Sequence, residues 1–120
     1  MRTRTGFITL LIVTAWATSL PAACQDYASG ADVSFLAQAE QQGIAFKDGG
    51  AAKPGLEILR QHGYNWIRLR LFHSPTDLPN DLNYTIALAK KGKSLGFRFL
   101  LDYHYSDTWA DPGHQPLPKV

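Results

Sequence analysis

The sequence contains a single cysteine, Cys24, so the chain cannot form an internal disulfide bond. Without such a cross-link, the fold must be held together by its hydrophobic core. After residue 24 the sequence also lacks any apolar run near the about 20 residues that a membrane-spanning helix requires. We therefore expect the mature chain to contain no transmembrane segment.

An excess of charge of one sign is also missing. The chain contains 12 Lys and Arg against 10 Asp and Glu, and Arg2 and Arg4 stand at its extreme N-terminus. Without those two arginines the positive and negative charges are equal in number. Recognition of nucleic acid or of an anionic membrane requires clustered Lys and Arg. A neutral body therefore argues against both kinds of partner.

Residues 1–24 have the pattern of an export signal, possessing a charged start, an apolar stretch and an exit of mostly small residues. The alternative interpretation of this segment is a buried N-terminal helix. Cys24 stands where the lipid-modified N-terminus of a bacterial lipoprotein would begin, whereas cleavage after it would leave Gln25 as the first residue. We expect a secreted, periplasmic or cell-surface protein, and a lipid anchor through Cys24 is one alternative.

Beyond residue 24, predicted strands and helices alternate. The predicted strands are residues 30–34, 65–71 and 97–104, the predicted helices are residues 35–42, 54–62 and 82–95, and residues 47–52 are predicted as a loop. Ser34 and Asp81 are the predicted N-caps of the first and last helices. Alternation with short connections is typical of an α/β fold with parallel strands and right-handed crossovers.

The second predicted strand alternates apolar and polar residues. Ile67, Leu69 and Leu71 fall on one face, and Arg68 and Arg70 fall on the other. An open sheet would leave these arginines in solvent. A strand inside an α/β protein has both faces covered, and there a guanidinium group requires carboxylate partners.

The third predicted strand ends in the most specific segment of the chain. By alternation, Asp102 and His104 lie on one side of this strand, and the arginines of the second strand join them if all face the same axis. Trp109, just beyond the strand, offers a flat apolar face to a sugar ring whose hydroxyls the polar groups would bind. The carboxyl ends of parallel barrel strands are where active sites are built.

Three segments resemble the arabinogalactan endo-β-1,4-galactanases of glycoside hydrolase family 53. They are residues 30–34 (GADVS), 67–70 (IRLR) and 102–112 (DYHYSDTWADP), and their order and spacing agree with the family. The resemblance implies a (β/α)8 TIM barrel. Residues 25–120 would be its N-terminal part, about the first three βα units, truncated after the third strand.

The resemblance also implies cleavage of β-1,4-linked galactose in pectin side chains, with retention of configuration. Retention requires two carboxyl groups about 5 to 5.5 Å apart. In this family both are glutamates that follow the fourth and seventh strands. The only glutamates here, Glu40 and Glu57, fall on predicted helices remote from the strand ends. No catalytic residue is therefore assigned, and the 120-residue chain is expected to be inactive by itself.

Site residues are carried over from the family position by position. Arg70 resembles the second-strand arginine that steadies the nucleophilic carboxylate. His104 resembles the third-strand histidine that helps to order the same active-site opening. The residues assigned to substrate binding are Asp32, Asp102, Asp107 and Trp109.

Four positions also have a purely structural interpretation. His104 would be a buried histidine satisfied by its neighbours, and Trp109 would be core filler. Arg68 would support the barrel interior rather than bind a ligand. Asp32 would cap the helix that follows Ser34 rather than border the groove.

No metal or cofactor is predicted, because the four histidines lack the close pairing usual for zinc ligands. No residue bears on calcium in a later loop of the complete protein. The expected partner is β-1,4-galactan, and the expected state is a monomer. Two alternatives stay open: a barrel glycosidase acting on mannan, xylan or cellulose, and a non-catalytic carbohydrate-binding surface lipoprotein.

Overall fold

A computed structural model describes residues 27–119 of the chain. The predicted export signal, including Cys24, lies outside the described residues. Among residues 27–119, no helix is both long enough and apolar enough to cross a membrane.

Strands and helices alternate along the described chain. They are β1 (Gly30–Asp32), α1 (Leu36–Gln41), β2 (Lys47–Asp48), β3 (Ala51–Ala52), α2 (Gly55–Gln61), β4 (Trp66–Leu71), α3 (Leu82–Ser94) and β5 (Arg98–Tyr103). Strands β1, β4 and β5 form a parallel sheet in that order. The predicted α/β class with parallel strands is therefore confirmed.

One face of the sheet carries the core. In β4, Ile67, Leu69 and Leu71 are buried, as the alternation predicted, whereas the residues between them are only partly covered. Ile67 and Leu69 belong to a core cluster whose other buried members are Val33, Leu56, Leu88 and Phe97. The opposite face of β4 is thereby left for its arginines.

Helix α3 approaches the sheet closely because its contact residue is a glycine. A Cβ atom at Gly92 would lie 2.5 Å from Cδ1 of Ile67, far inside van der Waals contact. One residue of the same face, Thr85, donates a hydrogen bond from its hydroxyl to the carbonyl oxygen of Arg70 at 3.2 Å. Asp81 caps the helix as predicted, accepting from the amide of Tyr84 at 2.8 Å.

One detail of the predicted helices is wrong. Ser34 does not cap α1, which has Phe35 at its cap position. Its hydroxyl instead donates to Asp32 at 2.6 Å and accepts from the amide of Arg70 at 2.9 Å, because the neighbouring strand offers a better partner than the helix end.

Residues 47–52 form a small antiparallel hairpin rather than the predicted loop. Gly49 and Gly50 have φ angles of +56° and +85°, a pair of left-handed residues that suits a tight two-residue hairpin turn. The adjacent glycines indicate a turn, but the flanking strands have only two residues each, which is too short for a recognisable strand pattern.

Strand β5 is an edge of the described sheet and is largely uncovered. Phe99, Leu100 and Leu101 are 45%, 58% and 45% exposed, so both faces of the strand present apolar side chains. An uncovered apolar edge strand favours association with other chains.

We therefore expect residues 25–120, expressed by themselves, to aggregate or to remain loosely packed. Circular dichroism should show a broad thermal transition, and a hydrophobic dye should bind strongly before the transition. A sharp, cooperative melt of the 25–120 polypeptide would contradict this expectation.

Candidate functional site

Five polar side chains meet at the carboxyl ends of the parallel strands. Asp32 ends β1, Arg68 and Arg70 lie on β4, Asp102 lies on β5, and His104 follows β5 directly. In the register of the sheet, Asp32 is paired with Arg68 and Arg70 is paired with Asp102. We refer to these five residues as the strand-end cluster.

The two carboxylates of the cluster are bridged by the two arginines. Oδ2 of Asp32 lies 2.9 Å from Nη2 of Arg70 and 3.4 Å from Nη1 of Arg68. Oδ2 of Asp102 accepts a hydrogen bond from Nη2 of Arg68 and lies 3.7 Å from Nε of Arg70. Each arginine therefore spans from β1 to β5, and both have the carboxylate partners expected for a covered sheet face.

His104 joins the cluster on the same side as the arginines. Its Nε2 lies 3.3 Å from Oδ2 of Asp102. Its ring stacks on Phe72 with centroids 4.6 Å apart, and Phe72 is fully buried. The predicted convergence of Arg70 and His104 on one side of the sheet is therefore found in the structure, and Asp102 is the residue between them.

The cluster is only partly shielded from solvent. The side chains of Arg70 and His104 are 19% and 16% exposed, whereas that of Arg68 is 43% exposed. Partial desolvation makes ion pairs stronger than those of an open surface. Arg70 is the better shielded of the two arginines, although both contact the same two aspartates.

Trp109 covers the outer side of the cluster. The Cζ atom of Arg70 lies 4.7 Å from the centroid of the Trp109 ring, within the range of a cation–π contact. The His104 ring lies 5.8 Å from the same indole. Trp109 is 47% exposed, so it has a free surface that a sugar ring could contact, and its assignment to substrate binding stays a prediction.

Asp32 has two functions in the structure, and neither caps α1. One carboxylate oxygen accepts from the amide and the hydroxyl of Ser34 at 3.1 and 2.6 Å. The other oxygen pairs with the arginines of β4. Ser34 is a supporting residue whose role the sequence did not reveal, because its second partner, the amide of Arg70, is 36 positions away.

Asp107 lies in a different set of contacts from the strand-end cluster. Its carboxylate accepts from the amides of Lys119 and Ser74 at 2.7 and 2.9 Å and lies 3.5 Å from Nδ1 of His73. The hydrogen bond from Lys119, assisted by those from Ser74 and His73, holds the pKa of Asp107 below its usual value against the opposing effect of burial. These contacts join the segment after β5 to the loop after β4. Its assignment to substrate binding stays a prediction.

A concave region of about 430 Å³ adjoins the cluster at His104. It is also lined by Tyr105, Asp111 and Gln115, which belong to the segment after β5. Tyr105 is 79% exposed. This region offers aromatic and polar groups next to the strand ends, a combination typical of carbohydrate sites.

The two glutamates take no part in the cluster. Glu40 accepts from the amide of Gly55 at 2.8 Å and pairs with Lys91 at 3.3 Å, so it links α1 to α2 and α3. Glu57 lies in the first turn of α2. Within residues 27–119, no three Asp, Glu, His or Cys side chains are grouped as ligands for a metal ion.

Comparison with known proteins identifies close similarity over most of the chain. A family model described as glycosyl hydrolase family 53 matches residues 28–120. The probable arabinogalactan endo-β-1,4-galactanase A of Aspergillus terreus is 49% identical over 90 residues, covering 74% of this chain and 26% of the relative. The arabinogalactan endo-β-1,4-galactanase of Thermothelomyces thermophilus is 42% identical over 90 residues, covering 74% and 27%.

Solved structures agree with the sequence matches. One from a study of two fungal β-1,4-galactanases superposes with a TM-score of 0.71 at 42% identity, covering 74% of this chain and 27% of that chain. The Ignisphaera aggregans GH53 catalytic domain gives a TM-score of 0.73 at 37% identity, covering 82% and 30%. The chain thus spans about a quarter of the length of the curated relatives it matches.

The contacts of Asp107 predict a pH-dependent connection between the segment after β5 and the loop after β4. Because the folded pKa of Asp107 is lowered, its stabilising effect is complete above the usual carboxyl pKa of about 3.9 and is lost as the pH falls below that value. We expect Asp107→Asn to lower the hydrogen-exchange protection of the Ser74 and Lys119 amides several-fold at pH 7. In this variant the protection factors of the two amides should also depend less on pH than in the wild type.

The matched control is Asp77→Asn, which changes an exposed aspartate of the loop after β4. It should leave the protection of both amides unchanged. Equal protection in the Asp107→Asn variant and the wild type would show that Asp107 does not hold the two segments together.

Proposed function

This chain belongs to glycosyl hydrolase family 53, and from that membership we propose that it is the N-terminal part of a secreted enzyme that cleaves β-1,4-galactan internally. The relatives named above carry arabinogalactan endo-β-1,4-galactanase in their names, at 42% and 49% identity. Since the chain spans about a quarter of their length, the proposed activity is that of the complete protein. The proposed substrate is the galactan of pectin side chains.

The proposed architecture is a (β/α)8 barrel of which residues 25–120 form about the first three βα units. The parallel order of β1, β4 and β5 supports it, as does the position of the strand-end cluster at the carboxyl edge, where barrels carry their active sites. Residues 1–24 would be the export signal, with lipid attachment at Cys24 as the alternative to free secretion. The proposed enzyme is a monomer that requires no metal or cofactor.

The observation that carries the proposal is that Arg70, Asp102 and His104 meet in the partly shielded strand-end cluster, with Trp109 covering its outer side. In a retaining glycosidase one carboxyl group attacks the sugar and a second protonates the leaving oxygen. We propose that both are glutamates supplied by later strands. A guanidinium group within about 4 to 6 Å lowers the pKa of a carboxyl by about 1 to 3 and keeps a nucleophile ionised, which is the proposed role of Arg70.

Trp109 and His104 would contact the sugar, and the two aspartates of the strand-end cluster would position the arginines. Trp109 would stack on the C–H face of a galactose ring, because about half of its surface is exposed. Asp32 and Asp102 would hold the arginines in place through their ion pairs. His104 would offer a ring nitrogen for a hydrogen bond to the sugar, at the edge of the concave region that it lines.

We expect the full-length protein to hydrolyse linear β-1,4-galactan and the 120-residue chain to be inactive, because the chain contains neither of the proposed catalytic glutamates. Reducing-end release and product analysis on galactan, mannan and xylan measure both activity and specificity. Hydrolysis by the short chain would overturn the assignment of the chemistry to later strands. Preference for mannan or xylan would overturn the substrate, and binding without hydrolysis by the full-length protein would favour a carbohydrate-binding protein.

We expect Arg70→Lys to lower kcat/KM on galactan about 10- to 100-fold in the full-length enzyme, which corresponds to losing about 1.5 to 3 kcal/mol of interaction with charged groups. A lysine is a single point of charge, so it cannot contact Asp32 and Asp102 at once while also lying on Trp109.

Arg60→Lys is the matched control, since Arg60 is an exposed arginine at the end of α2. It should change kcat/KM less than about twofold. If Arg70→Lys behaved like this control, Arg70 would have no role in the active site.

A further inference from the structure

Asp102 connects three cationic or titratable side chains through a single oxygen atom. Its Oδ2 accepts from Arg68, lies 3.7 Å from Nε of Arg70 and lies 3.3 Å from Nε2 of His104. We infer that Asp102 is a positioning residue that keeps a proton on Nε2 of His104 and thereby presents Nδ1 as a hydrogen-bond acceptor for a sugar hydroxyl. The sugar in this inference rests on the proposed function, whereas the protonation of the ring rests on the geometry.

The direction of the hydrogen bond follows from the chemistry of the three groups. Guanidinium groups keep their protons at all ordinary pH values, so both arginines face Asp102 only as donors. An ionised carboxylate has no proton to give. The proton between Asp102 and His104 therefore belongs to Nε2. In a neutral imidazole the other nitrogen, Nδ1, then carries a lone pair.

The surroundings of His104 fix its ring as well as its proton. The buried Phe72 stacks on the ring at 4.6 Å with an angle of 24° between the planes. The amide of His104 donates to the carbonyl oxygen of Leu71 at 2.8 Å, which fixes the backbone next to β4. A flipped ring would lose the bond to Asp102. Packing sets the plane of the ring, and Asp102 selects between its two orientations in that plane.

Nδ1 of His104 would add an acceptor to a cluster in which the two arginines offer only donors. The arginines have no acceptor atoms, and the Oδ2 atoms of Asp32 and Asp102 are engaged by them. A sugar hydroxyl both donates and accepts hydrogen bonds. Nδ1 of His104 would receive the proton of a hydroxyl whose oxygen accepts from a neighbouring donor.

The ring protonation is tested by nitrogen NMR of the full-length protein labelled with ¹⁵N-histidine. At pH 8.5, well above the usual histidine pKa of about 6.5, the His104 signals should show a protonated Nε2 and an unprotonated Nδ1. The spectrum of His104→Gln assigns these signals. In Asp102→Asn the preference should weaken, because an amide can donate to Nε2 as well as accept from it, whereas Asp102→Glu should retain it.

Two results would overturn the role of Asp102 in protonation: a proton on Nδ1 in the wild type, or an unchanged preference in Asp102→Asn. Neither readout needs a substrate. If Asp102→Asn failed to fold, the wild-type spectrum would still decide. Absence of galactan hydrolysis by the wild type would refute the proposed function and leave the NMR result intact.

The positioning effect is tested by kinetics on galactan. Asp102→Asn should lower kcat/KM about 10- to 100-fold, Asp102→Glu should recover part of the loss, and the control Asp77→Asn should match the wild type. In a His104→Gln background, Asp102→Asn should cost less than in the wild type, because only its effect on the two arginines then remains. Two results would show that Asp102 does not act through His104. One is a double variant whose loss of kcat/KM equals the product of the losses of the two single variants, and the other is an Asp102→Asn variant as active as the wild type.

Discussion

The ion pairs between the arginines of β4 and the aspartates of the flanking strands are the interaction on which the site depends. Arg70 reaches Asp32 on one side and Asp102 on the other, so one side chain ties together three strands that are far apart in sequence. The parallel register makes this geometry possible by placing Arg70 directly beside Asp102. The backbone of Arg70 is held in turn by the hydroxyls of Ser34 and Thr85. Positive charge is thereby fixed at the strand ends.

Patterns that depend on neighbouring residues could be predicted from the sequence, and contacts between distant residues could not. The alternation of β4 correctly predicted its buried face, because strand periodicity is a local property. Asp81 was recognised as a cap for the same reason. Ser34 was misassigned because a serine before a helix usually caps it, whereas here the adjacent strand supplies competing partners.

In the candidate site, too, the features set by local patterns could be predicted and the contacts between distant residues could not. Alternation along two strands predicted that Arg70 and His104 would share one side of the sheet, and the structure places both beside Asp102. No periodic pattern could show that Asp107 binds the amides of Ser74 and Lys119, since loops bring those groups together. The proposed substrate rests on resemblance to a family, because strand periodicity carries no information about glycan chemistry.

Gly92 has a significance that reaches beyond local packing. The hydrogen atom that replaces a side chain there sets the distance between α3 and Ile67. The same helix carries Thr85, whose hydroxyl holds the carbonyl of Arg70. Helix α3 therefore contacts both Ile67 in the core and the backbone of Arg70 in the strand-end cluster. Side chains introduced at position 92 would therefore be expected to disturb the position of Arg70, although the atoms nearest to a Cβ there belong to Ile67 and Phe97.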